Sequence, residues 1–185
     1  MNLPNLITFG RLLSVPIAIY LLIQFAYMPA FLLFVTLGVS DALDGYLAKR
    51  NNQSTELGAI LDPLADKVLL VSVYITLGLQ QDLPNWLVVL VVFRDLIIVG
   101  GVIVLFLVRL EVKMRPLIVS KLNTAAQMAL VALVLAELAF SFEINDVVVI
   151  AIYGTAATTL LSGGSYIVCW VQQMAGIEGE GVAKR

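Results

Sequence analysis

Apolar runs of roughly 20 residues recur along almost the whole chain, and a run of that length is what one helix needs to cross the hydrocarbon core of a bilayer. Only 13% of the 185 residues are charged and 61% are hydrophobic, whereas a soluble domain carries about 25% charged residues. An outer-membrane barrel would instead show alternating segments of about 10 residues, and none is visible. The expectation is therefore an all-α integral membrane protein with six transmembrane helices and a short N-terminal interfacial helix.

The spans are read from the breaks between the runs. Residues 1–11, with Pro4, Asn5 and Arg11, lack the basic start and cleavage site of a secretory signal, so they are expected to remain in the mature protein as an interfacial helix. Spans are expected over about 12–28, 29–48, 58–80, 85–108, 122–141 and 147–172. Pro16 marks a kink candidate in the first. The domain is thus residues 1–172, and 173–185 (small and polar) reads as a flexible C-terminal tail.

Basic residues orient the spans. The turns near 25–30, 81–85 and 142–146 fall on one side and contain no Lys or Arg. The opposite side carries Lys49, Arg50, Arg109, Lys113, Arg115, Lys121, Lys184 and Arg185. The positive-inside rule then puts both termini on the cytoplasmic side of an inner (cytoplasmic) membrane. A net charge of −2 gives no reason to expect nucleic acid as a partner. With no histidine and a single cysteine, Cys169, a disulfide or a Cys/His zinc site within one chain is excluded.

Against this apolar background, residues 41–67 read DALDGYLAKRNNQSTELGAILDPLADK. Asp41 and Asp44 share one helix face, which Gly45 and Ala48 continue; Gly58, Asp62 and Asp66 follow at i, i+4, i+8. A tight connection between spans two and three is expected to set these stripes opposite each other, near the cytoplasmic ends. Four unpaired aspartates at the centre of a membrane would cost roughly 10 kcal/mol, less near the interface. Lys67 and Arg50 neutralise at most part of their charge. An all-oxygen cluster without His or Cys suits hard cations such as Mg²⁺, Mn²⁺ or Ca²⁺. The blander alternatives are a salt-bridged structural cluster for the acids and close helix packing for the small residues.

Asp41-x2-Asp44-Gly45-x2-Ala48-Lys49-x8-Gly58-x3-Asp62-x3-Asp66 resembles the D-x2-D-G-x2-A-R-x8-G-x3-D-x3-D pattern of the CDP-alcohol phosphatidyltransferases, differing only at Lys49. Lysine keeps the charge of the usual arginine and loses its bidentate fork; Arg50 stands beside it. The resemblance implies a six-helix fold, homodimeric, with a cytoplasm-facing cavity holding two divalent ions, Mg²⁺ or Mn²⁺. It implies Asp41, Asp44, Asp62 and Asp66 as metal ligands, with Asp66 also the catalytic base. Asp44, Gly45, Ala48, Lys49 and Gly58 would bind the CDP-lipid. The partners implied are CDP-diacylglycerol, an alcohol acceptor and membrane lipids.

Acceptor choice is read further along. In span four FRDLIIVGGV places Val102 where glycerophosphate-using members have a second arginine. MRPLIVSKLNTAAQ and the pattern Thr158-Thr159-x2-Ser162-x3-Tyr166 look more like the CMP-forming cardiolipin synthases, although polar packing within span six explains the latter equally well. Phosphatidylglycerol is the expected acceptor, giving cardiolipin, with glycerol 3-phosphate as the alternative. Arg94 and Asp95 are spaced wrongly to face each other, so each is expected to meet a partner on another helix. Arg94 either holds an anionic acceptor or pairs with one of the four aspartates. Arg115 and Lys121 either bind the acceptor phosphate or serve topology and lipid attraction. Glu137, deep in span five, is expected to make a helix-packing hydrogen bond, at a dimer contact. A cation transporter is the rival from another class, but it would spread its acids across the membrane depth, and these four cluster at one end.

Overall fold

The computed structural model describes the backbone of residues 3–51, 56–107, 118–141 and 143–182, and the side chains of 10–40, 65–101, 119–141 and 143–171. The described residues form six helices: α1 Leu3–Ile23, α2 Tyr27–Asn51, α3 Glu56–Leu79, α4 Asn85–Leu107, α5 Ile118–Phe140 and α6 Asn145–Val182. One helix, α1, covers both the segment expected at the interface and the first span. Pro4 lies in its first turn, where a missing N–H leaves no bond unmade, and Pro16 lies within it without ending it. Helix α6 continues past residue 172, where the tail was expected to begin, as far as Val182.

The turns after α1, α3 and α5 each contain a non-glycine residue in the left-handed region: Phe25 at φ 56°, Gln81 at 70° and Ser141 at 53°. At the first two, a backbone N–H reaches back five residues, Ala26 to Leu21 at 2.9 Å and Asp82 to Leu77 at 3.0 Å. That bond satisfies a carbonyl the helix end would leave unpaired. Side chains tie the α1–α2 turn to the α3–α4 turn: Gln80 Nε2 donates to the Leu22 carbonyl at 2.7 Å, and the Tyr27 hydroxyl, at the start of α2, donates to Asp82 at 3.3 Å.

Packing follows a ring. Helix α1 packs on α2 and α3, α2 on α5, α5 on α6, α6 on α4, and α4 on α3, while α3 and α5 meet across the middle. Leu22, Val73, Tyr74, Leu77, Leu87, Val91, Leu130, Val131 and Val134 fill the interior, each at most 1% exposed. Among the described residues α1 packs against both α2 and α3; the facing stripes expected at the α2–α3 connection involve 41–48 and 58–62, whose side chains lie outside the described residues.

Polarity is arranged inside out. Arg11, Arg94, Asp95, Asn123, Gln127, Thr155, Thr159 and Ser162 are buried, while Leu13, Val89, Phe93, Ile150, Leu160 and Leu161 are exposed. In water such an outer surface would aggregate, whereas facing lipid it is at rest. Among the described residues two segments, Val119–Phe140 and Asn145–Val171, are by themselves long and apolar enough to cross a membrane.

Candidate functional site

The backbone places Asp41, Asp44, Gly45, Ala48 and Lys49 toward the C-terminal end of α2, and Gly58, Asp62 and Asp66 in the first half of α3. The side chains of residues 41–64 lie outside the described residues, as do Arg115 and the side chain of Val102. Of the four aspartates, Asp66 is described. Its Oδ1 accepts from Arg11 Nη1 at 2.5 Å. Arg11 is buried, and the Asp66 side chain retains 31% exposure. The base candidate is therefore partly open to an incoming group and held by a cation from α1. Arg11 was not expected here. It is, however, a lone cation between apolar stretches, and a charge in that setting needs a partner.

Asp66 and the next residue, Lys67, face different partners. Lys67 Nζ donates to Asp95 Oδ1 on α4 at 2.8 Å, and Arg94 Nη1 donates to the same oxygen at 2.6 Å. Arg94 Nη2 continues to Ser120 of α5 at 2.8 Å and Ser162 of α6 at 2.5 Å. The Tyr166 ring lies 6.0 Å from the guanidinium carbon, at the outer limit of a cation–π contact.

Two expectations change here. Arg94 and Asp95 do pair, although consecutive positions point about 100° apart on a helix. Arginine's long stem lets its planar head fold back to the neighbouring carboxylate while its far edge reaches other helices. Each residue also finds the partner expected on another helix, Lys67 for Asp95 and the two serines for Arg94. Arg94 is thus paired with Asp95, not with one of the four aspartates. Likewise Lys67 is bound to Asp95 and does not serve as the counter-charge of the acidic cluster.

One turn along, Asn123 Oδ1 on α5 accepts from Thr158 at 3.0 Å and from Thr159 at 2.8 Å. The Thr158-Thr159-x2-Ser162-x3-Tyr166 pattern therefore packs α6 on α5 and wraps Arg94. Arg94 Nε, Asn123 Nδ2 and Gln127 Nε2 are buried N–H donors without a protein acceptor in this same band. Lys121 is exposed in the first turn of α5. Glu137 is half-buried, and the hydrogen bond expected of it is not formed among the described residues.

No group of three potential metal ligands occurs among the described residues. The aspartate set itself fits a hard divalent cation: its donors are all carboxylate oxygens, and the side chain of its described member, Asp66, is 31% exposed.

A bundle with charged pairs inside and apolar side chains outside is a helical membrane protein. The sequence model of the CDP-alcohol phosphatidyltransferases matches residues 1–162, and the chain belongs to that family. The chain is 36% identical over 185 residues to the chloroplastic CDP-diacylglycerol–glycerol-3-phosphate 3-phosphatidyltransferase 1 of Oryza sativa, covering 90% of this chain and 56% of that protein. Against the CMP-forming cardiolipin synthase of Rattus norvegicus it is 33% identical over 184 residues, with 89% and 60% covered. A probable phosphatidylglycerophosphate synthase of Mycobacterium tuberculosis is 35% identical over 188 residues, with 95% and 85% covered. The chain spans little more than half the length of the Oryza and Rattus relatives. Enzymes of the family generally use divalent metal ions.

Proposed function

We propose that this protein is a metal-dependent phosphatidyltransferase that moves a phosphatidyl group from CDP-diacylglycerol to an alcohol and releases CMP. The observation that carries the reading is the family match over residues 1–162, which contains the whole aspartate pattern from Asp41 to Asp66. Asp41, Asp44, Asp62 and Asp66 would hold two divalent ions, Mg²⁺ or Mn²⁺, which would supply stabilisation of charge on the pyrophosphate and on departing CMP. Gly45, Ala48 and Gly58 leave room for the nucleotide, with Asp44 and Lys49 beside it. Asp66 accepts the proton of the acceptor hydroxyl. The hydroxyl oxygen bonds to the phosphatidyl phosphorus as the phosphorus–oxygen bond to CMP breaks.

Phosphatidylglycerol is the acceptor of this reading, giving cardiolipin. It is supported by the resemblance of 114–127 and of the Thr158–Tyr166 pattern to cardiolipin synthases, and by relatives so named. Glycerol 3-phosphate is the second reading, favoured by the Oryza and Mycobacterium relatives. On the acceptor side, Arg115 and exposed Lys121 take the phosphate. Arg94 shapes that side from within the bundle, since its guanidinium is committed to Asp95, Ser120 and Ser162. The six helices cross the inner membrane as a homodimer, with residues 1–11 entering along the interface and the site and both termini cytoplasmic. The absence of basic residues from one set of turns supports that orientation.

The test is CMP release from CDP-diacylglycerol by purified protein in detergent, with a panel of alcohols, with and without Mg²⁺ or Mn²⁺. Metal-dependent cardiolipin formation from phosphatidylglycerol is expected. Phosphatidylglycerophosphate as the main product would move the assignment to glycerol 3-phosphate. No CMP with any acceptor would remove the enzyme reading.

A further inference from the structure

We propose that Asp95 is a positioning residue for the acidic site: by binding the Lys67 ammonium it keeps a further positive charge, beyond that of Arg11, off the aspartates that would hold a divalent cation. The inference rests on the reading of Asp41–Asp66 as a metal site.

Lys67 directly follows Asp66 on α3, so without another partner its ammonium lies within reach of the acidic cluster. Neighbouring positions on a helix can pair in this protein, as Arg94 and Asp95 do at 2.6 Å. Lys67 is drawn the other way, to Asp95 Oδ1 at 2.8 Å. The Lys67 side chain is 33% exposed and that of Asp95 10%, so the lysine is the partner with room to swing. Arg94 cannot follow it, because its Nη2 is tied to Ser120 and Ser162. Asp95 thus receives one fixed cation and one movable cation on a single oxygen.

Among the described residues the charges fall into two groups, Arg11 with Asp66 and Lys67 with Asp95 and Arg94. If Asp95 loses its charge, Lys67 loses its counter-charge, keeps at most a neutral acceptor, and is drawn toward the acidic motif that begins at the preceding residue, Asp66. An ammonium there opposes cation binding through both its charge and its occupation of a ligand oxygen. Asp95 acts through Lys67 and touches no reacting atom, so its effect should disappear when Lys67 is neutral.

The experiment is a Mn²⁺ titration of detergent-purified protein, followed by loss of the free Mn²⁺ electron paramagnetic resonance signal. Wild type should bind, and Asp62→Asn should lose binding. Asp95→Asn should bind about tenfold more weakly. Lys67→Gln should bind at least as tightly as wild type, and the K67Q/D95N double variant should return to within about twofold of it. Wild-type affinity in Asp95→Asn overturns the proposal. So does a double variant as weak as Asp95→Asn, which would mark Asp95 as merely structural. Where Asp95→Asn yields no folded protein, Lys67→Gln decides: weaker binding overturns the proposal, equal or tighter binding supports it. If wild type binds no Mn²⁺, or Asp62→Asn binds normally, the metal-site reading itself fails and takes the proposal with it.

Discussion

Arg11 of α1 donates to Asp66 of α3 at 2.5 Å, joining two residues 55 positions apart at the helix that carries the acidic motif. The pair makes α1 part of the site. Removing one partner of such a pair leaves the other charged and poorly solvated, which costs more than the pair itself contributes. Because Asp66 is about a third exposed, water offsets part of that cost. Arg11→Gln should therefore lower stability by about 1–3 kcal/mol and reduce turnover, whereas Arg11→Lys keeps much of both. Thermal unfolding in detergent checks the first, and CMP release the second. Equal losses in the two variants would show that charge is not what Arg11 supplies.

If Asp66 is the proton acceptor, Asp66→Asn removes that function while keeping the shape. Turnover should fall by about 10²–10⁴-fold, the usual contribution of a general base, while binding of CDP-diacylglycerol persists. Single-turnover CMP release alongside equilibrium binding of the CDP-lipid separates these effects. A near-normal kcat would remove Asp66 from the role of base.

Much of the scaffold could be read from the chain, and the reason is physical. Membrane helices are delimited by the polar residues that interrupt apolar runs, so α4 was expected over 85–108 and runs Asn85–Leu107. The aspartates stood out because a bilayer makes charge expensive. What could not be read was pairing. Helical spacing separated Arg94 from Asp95, yet a flexible guanidinium stem crosses that gap. Lys67 sits beside the acidic motif in sequence and serves a carboxylate on another helix in space. Spacing fixes where a side chain starts; long charged side chains end wherever opposite charge is buried.

Lys121 is exposed at the start of α5 and makes no ion pair among the described residues. If it and Arg115 bind the acceptor phosphate, Lys121→Ala and Arg115→Ala should each raise the acceptor KM about tenfold with little change in the KM for CDP-diacylglycerol, since a charge-assisted hydrogen bond contributes about 1.5–3 kcal/mol. Initial rates with each substrate varied in turn give both constants. Parallel increases in both would assign the two residues to general lipid attraction.

Gly101 fixes the approach of α4 to α6. A Cβ at this position would collide with the Trp170 ring atoms Cζ2 and Cη2. Gly101→Ala should destabilise the protein by about 1–3 kcal/mol, the usual cost of overpacking. Trp170→Leu in the same chain should recover part of the loss, because the clash needs both partners. Thermal unfolding of the two single variants and the double variant measures the coupling; strict additivity would mean that the indole yields freely.

Asp82 lies in the turn between α3 and α4, outside the helices, and accepts from the Tyr27 hydroxyl at 3.3 Å. Burial pushes its carboxyl above the ordinary carboxylate range, and the Tyr27 hydrogen bond opposes that shift without cancelling it. A carboxyl that binds its proton more tightly when folded favours the folded state below its unfolded pKa, and that contribution is lost as pH rises through the folded pKa. Wild-type stability should accordingly fall relative to Asp82→Asn as pH rises above about 4, the ordinary aspartate value, since the amide does not titrate. Tyr27→Phe removes the opposing hydrogen bond and should move the same loss to higher pH. The check is the midpoint of thermal unfolding in detergent for all three proteins as pH rises. A wild-type midpoint that rises relative to Asp82→Asn with pH would mean that the Tyr27 bond outweighs burial.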